Sequence, residues 1–177
     1  MSEIFAIGET ASPVRAASAA ISEPTEILSF RLGGEEYGID IMRVREIWSC
    51  EPPTRIPHAP HFIKGFINLR GEIVPIDDLR LKLGCETAEY TSFTAVVVLE
   101  ALGHCIGAVV DSVSDVLTLI SDSIKPAPRT NASVDTSYIL GISCFKSQDI
   151  DRVIILTDID TLMSSAAMNG SIPSVAA

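Results

Sequence analysis

The sequence predicts an all-β protein built as two similar small barrels about a pseudo-twofold axis. Three observations lead there. Apolar residues recur in short β-branched runs broken by Gly, Pro, Asn and Asp, the pattern of a barrel or sandwich. Helical periodicity is confined to pieces too short to form a bundle. Finally, parts of the chain repeat. GFINLRGEIVPIDDLRL (65–81) and GISCFKSQDIDRVIILTDIDTL (141–162) both run glycine-bearing strand, polar turn, apolar strand, Asp-led helical turn and Leu. EEYGIDIMRV (35–44) and HCIGAVVDSV (104–113) form a second pair, each with a central glycine (Gly38, Gly107) and an acid soon after (Asp40, Asp111). Two halves with the same order of parts imply two barrels and a groove between them.

The first element is a hairpin: Leu28, Phe30 and Leu32 alternate with polar residues, as do Tyr37, Ile39 and Ile41, with Gly33-Gly34 between. A short helix is expected over 41–47. Strands are expected over 62–69, 72–76, 93–100, 104–113, 116–120, 139–145 and 152–157. Asp78 and Asp158 each suit the start of a short helix, over 78–83 and 158–163, because a carboxylate there accepts free backbone N–H groups. Residues 1–25 and 166–177, rich in Ala and Ser without sustained periodicity, read as a disordered leader and tail around an ordered 26–165.

Composition narrows the function. The 177 residues include 23 acidic and 13 basic side chains, a net charge of −10, and such a field repels phosphate backbones and anionic lipid headgroups. Nucleic acid and direct membrane insertion are therefore not expected, and no apolar run approaches the roughly 20 residues of a spanning helix. No secretory signal is legible, so a cytoplasmic location is expected. Four scattered cysteines without a C-x-x-C pair predict neither disulfide nor zinc site.

Catalytic and cofactor chemistry finds no foothold. His58 and His61 with Cys50 are metal-ligand types, but Pro57 and Pro60 hold that stretch extended and nothing completes a tetrahedron. Asp77/Asp78 and Asp158/Asp160 fit helix starts better than an acid–base pair, and Asp149/Asp151 falls in a turn. No nucleophile elbow, Walker A loop or dinucleotide turn is present. Not an enzyme, and no cofactor or metal, is the expectation. Two features remain. Arg70, in the Asn68–Gly71 turn, is either an ion pair or cap that holds the turn or a contact for a partner. Val44, Ile47 and Trp48 in one half and Val113, Val116 and Leu117 in the other suit core packing, although some must line the seam between halves.

With EEYGID (35–40), VREI (44–47), FIKGFINLRGEIVPIDDLR (62–80), VVDSVSDVL (109–117) and IKPAP (124–128) in view, the chain closely resembles the CheW family of chemotaxis coupling proteins over about 26–163. The resemblance implies two intertwined five-stranded SH3-like barrels with short helices and a short C-terminal helix. It implies subdomains of roughly 41–92 and 93–145 with flanking strands exchanged. It also implies a scaffold joining the cytoplasmic tip of methyl-accepting chemoreceptors to the regulatory domain of the histidine kinase CheA. Carried over by position, the receptor groove involves Val44, Glu46, Gly65, Arg70, Gly107, Val113 and Val116, and the kinase contact Ile41 and Glu46. The same fold in a chemosensory pathway for surface or pilus motility is the alternative.

Overall fold

The structure, a computed structural model, describes residues 23–85, 88–127 and 136–165. Residues 1–22 of the expected leader and all of the expected tail lie outside the described residues. The strands are β1 (Thr25–Leu32), β2 (Glu35–Asp40), β3 (Val44–Ser49), β4 (Ile63–Leu69), β5 (Glu72–Asp78), β6 (Ala95–Ala101), β7 (His104–Val110), β8 (Ser112–Leu119), β9 (Ile124–Lys125), β10 (Ile139–Ser147) and β11 (Ile150–Thr157). Two short helices follow β5 and β11: α1 (Leu79–Lys82) and α2 (Ile159–Ser165).

The strands form two sheets, ordered β3-β6-β7-β5-β4 and β8-β1-β2-β11-β10-β9. Read from β3 or from β8, the pairing is antiparallel, antiparallel, parallel, antiparallel in both. This is the pseudo-twofold of the repeat. The parallel pairs place Gly107 beside Ile76 and Gly38 beside Leu156, so the two repeated glycines hold equivalent positions. The fold is all-β with SH3-like barrels, and the sixth strand of the larger sheet is the two-residue β9. Residues 44–110 supply the whole five-stranded sheet, and β1–β2 and β8–β11 the other.

Local sequence explains most of this. Each of the tight hairpins turns on two residues with positive φ, the handedness that matches strand twist: Gly33-Gly34, Arg70-Gly71, Leu102-Gly103 and Gln148-Asp149. Asp78 accepts the Arg80 amide at 3.1 Å and Asp158 the Asp160 amide at 3.1 Å, opening α1 and α2. The helix expected over 41–47 is absent. A 3-10 turn at Ile41–Arg43 gives way to β3, because Val44, Glu46 and Trp48 turn inward while Arg45, Ile47 and Ser49 turn outward, a period of two. The single strand expected over 104–113 breaks at Asp111, and 116–120 is the far part of β8.

β1 is buried on both faces, and that is how the sheets join. Leu28, Phe30 and Leu32 pack with Val97 and Leu99 of β6, Leu79 of α1, and Leu162 and Met163 of α2 in one shared core. Ile27 instead joins Leu119, Ile154 and Leu156 inside its own sheet's barrel. Val74, Ile76, Val96, Val98 and Val109 fill the other barrel. Burial of one such aliphatic side chain contributes roughly 1.5–3 kcal/mol.

Beside the shared core lies Arg80, whose side chain is 2% exposed. Its Nε and Nη2 donate to the two carboxylate oxygens of Asp78, both at 2.9 Å, and Nη1 donates to Asp111 at 3.0 Å and the Glu89 carbonyl at 2.6 Å. The Tyr90 ring covers the guanidinium at 4.9 Å. Asp111, the residue that ends β7, also accepts the Gly33 amide at 2.8 Å. One arginine thus ties α1, the β7–β8 break and the first hairpin.

Candidate partner-binding site

β3 and β8 hold equivalent places, each the outer strand of its sheet. Both pairings carry a register shift near the strand's start. On β3 it falls between Val44, opposite Leu99, and Glu46, opposite Val98. Opposite β1 it separates Val113, paired with Phe30, from Val116, paired with Leu28. Such bulges re-aim side chains at a sheet edge. Val44 and Val113 become half-buried partners of the shared core, and Val116 stands 54% exposed.

Each edge strand also holds an acid against an arginine from the neighbouring hairpin. Glu46 Oε2 accepts Trp48 Nε1 at 2.6 Å and Arg70 Nη2 at 3.3 Å. Asp115 accepts Arg152 at 3.2 Å, while Arg152 also pairs with Glu36 and lies over the Phe145 ring at 5.2 Å. Arg70 is 80% exposed in its side chain and Glu46 23%. With Arg45, Leu69 and Glu72 they line a concavity of about 300 Å³. The turn itself is held by Asn68, whose Oδ1 accepts the Gly71 amide at 2.7 Å. The cap is therefore Asn68's, and the Arg70 side chain is left to bridge from a φ of +52° to β3.

Gly65 and Gly107 sit differently. Both are buried, and the room each leaves is filled by this chain. A Cβ on Gly65 would stand 1.9 Å from the Thr54 carbonyl oxygen, where Thr54 bridges to Phe66 and closes the barrel. A Cβ on Gly107 would meet Ile76 Cδ1 at 2.4 Å. Ile41 lies on the 3-10 turn, partly buried against the shared core, with Met42 beside it 84% exposed. The structure thus brings Glu46 and Arg70 into contact and sets Val44 and Val113 on one core, while the two glycines shape strands beneath. Trp48, singled out only as apolar, is the residue that fixes the Glu46 carboxylate. Its i, i+2 spacing on a strand was the available signal.

His58 is exposed at a φ of +60°, and His61 lies edge-on to Phe62 at 5.9 Å. Among the described residues no three His, Cys, Asp or Glu side chains converge on a point that could hold a metal. No helix of the described residues is long and apolar enough to cross a membrane. Elsewhere β3 and β8 carry valines near the surface, with the Arg70–Glu46 pair beside them on β3.

The CheW-like domain family matches residues 26–167, which hold both edge strands and the hairpins that serve them. The chain belongs to the CheW family. Among its relatives, the chemotaxis protein CheW of Klebsiella aerogenes is 46% identical over 143 residues, covering 81% of this chain and 84% of that protein. The chemotaxis protein CheW of Rhizobium meliloti is 36% identical over 140 residues, covering 79% and 88%. The crystal structure of the scaffolding protein TtCheW from Thermoanaerobacter tengcongensis superposes with a TM-score of 0.69 at 35% identity, covering 79% of this chain and 92% of that one. CheW is a scaffold family of chemotaxis, not an enzyme family.

Proposed function

We propose that this chain couples chemoreceptors to the histidine kinase CheA on the cytoplasmic side of the membrane. The observation that carries the reading is the equivalence of β3 and β8, two outer strands that each offer a valine on the shared core beside an acid–arginine pair. A helical hairpin presents an apolar ridge, and Val44, Val113 and Val116 give such a ridge something to bury against. Glu46 and Arg70 at the border set its orientation more than its affinity. Gly65 and Gly107 contribute by shape, since each allows a close approach within the barrel. Ile41, from the turn that leads into β3, and Glu46, on β3 itself, face the kinase's regulatory domain. Glu46 serves the receptor through Arg70 and the kinase through its backbone position, so the two contacts are neighbours along one strand.

The test is reconstitution. Kinase phosphorylation is measured with receptor-containing membranes, with this chain present or omitted. Receptor control of the kinase is expected only when the chain is present. Kinase output that ignores the chain removes the coupling role.

A further inference from the structure

Beyond the end of β3, residues Cys50, Glu51, Pro52 and Pro53 form one wall of a cavity of about 380 Å³, within the range of small-molecule sites. Arg55, Lys64 and Tyr90 complete it. None of these residues belongs to the receptor or kinase surfaces proposed above.

Two of the lining residues, Arg55 and Lys64, are cations. Thr54 and Phe66 exchange backbone hydrogen bonds, both 3.0 Å, and this bridge sets the next residue, Arg55, opposite Gly65, the chain neighbour of Lys64. Neither cation forms an ion pair among the described residues, although the chain carries a net charge of −10 and has acids to spare. Glu51 lines the same cavity without pairing to either, which leaves the lining one positive charge in excess. The remaining walls are apolar: two prolines and the Tyr90 ring, whose hydroxyl is turned to Asp78 at 3.2 Å.

We infer that this cavity binds a carboxylate attached to an apolar, ring-sized body. Arg55 grips the carboxylate through its planar fork and Lys64 supplies a second donor. The body lies on Pro52, Pro53 and the free face of Tyr90. A net charge of one matches a single carboxylate and disfavours a phosphate dianion. The carboxylate comes either from a free organic acid or from an acidic side chain next to an aromatic one on a partner.

The test is a ¹H–¹⁵N NMR titration of the full chain with four probes: phenylacetate, its neutral isostere phenylacetamide, inorganic phosphate, and the peptide acetyl-Phe-Glu-amide. Saturable shifts at the amides of Glu51, Arg55 and Lys64 are expected with phenylacetate or the peptide, up to about 10 mM for a weak fragment. Saturation by phenylacetate assigns a free acid, and saturation by the peptide alone assigns a partner side chain. Arg55→Gln and Lys64→Gln are each expected to weaken binding about tenfold, and Glu51→Gln to tighten it. All three positions lie at the surface or half-buried, and unchanged thermal unfolding verifies each variant's fold. Saturation by phosphate or phenylacetamide as strong as by phenylacetate overturns the assignment. So does the absence of saturable shifts with both carboxylate probes, or binding indifferent to both cation replacements.

Discussion

Arg70 and Glu46 meet at 3.3 Å across the gap between the β4–β5 turn and the outer strand β3, joining a hairpin to a strand that the sheet does not pair with it. The arginine end is in solvent and the glutamate end is fixed by Trp48. An ion pair so exposed adds well under 1 kcal/mol to stability. Arg70→Ala is therefore expected to leave the urea midpoint nearly unchanged. Its effect is expected in partner binding, as a several-fold loss of co-sedimentation with receptor membranes. A large fall in stability with intact co-sedimentation makes Arg70 structural.

Val116 gives the complementary probe. It is 54% exposed on β8, so Val116→Glu is expected to fold with less than about 1 kcal/mol of cost and to abolish receptor association, because the new carboxylate is buried without a partner. Val113→Glu at the half-buried position is expected to lose stability as well, since Val113 packs on the shared core. Equal co-sedimentation of wild type and Val116→Glu takes β8 out of the receptor surface.

Gly65→Ala is expected to destabilise by at least about 2 kcal/mol, because the added methyl meets backbone at Thr54, and the φ of +139° resists a side chain. Thermal unfolding measures this. A near-neutral result shows that the Thr54 bridge gives way at little cost.

Arg80→Met is expected to cost about 3–5 kcal/mol in a denaturant titration, since it leaves the fully buried Asp78 carboxylate without its fork of donors. Arg80→Lys is not expected to restore the loss, because one ammonium cannot serve two carboxylates and a carbonyl from the same place.

Asp160 supplies a pH test. The Leu102 amide at 2.8 Å, and then Arg43 at 2.7 Å, hold its carboxyl below the usual 3.8. A depressed folded value means stability present in full above 3.8 and lost as pH falls through the lower folded value. Asp160→Asn is expected to flatten that acid limb of the urea midpoint and to leave the slope at neutral pH unchanged. An unaltered acid limb assigns it to other carboxylates.

How much of this was legible in the chain depends on how local the cause is. The hairpins and Asp caps announce themselves within four or five residues, and the repeated order of glycine, turn, strand and Asp exposed the pseudo-twofold before any coordinate. The helix expected over 41–47 failed because Ile, Met, Val and Ile fit either period, and pairing with β6 decided for strand. Asp111 hid the break between β7 and β8, since no Gly or Pro marks it; its role depends on Arg80, 31 residues away. Which strands share a sheet depends on the parallel pairs, a relation without local signature. At the site, family positions named Val44, Glu46 and Arg70 separately. That Glu46 answers to Arg70 and Trp48 at once is a fact of three dimensions.

The five-stranded sheet is drawn from one continuous stretch, 44–110, set inside a sheet whose strands come from both sides of it. During synthesis the inner sheet has all its members in hand once Val110 has left the ribosome. The hairpin β1–β2, made first, must wait for β8 and β11 to cover its two edges. A ribbon with both edges unpaired is the kind of surface that chaperones hold. Arrest of translation after Val110 has cleared the exit tunnel, but before β11 has, should therefore trap a folded inner barrel carrying an unfinished hairpin, and only the last third of the message closes the outer one.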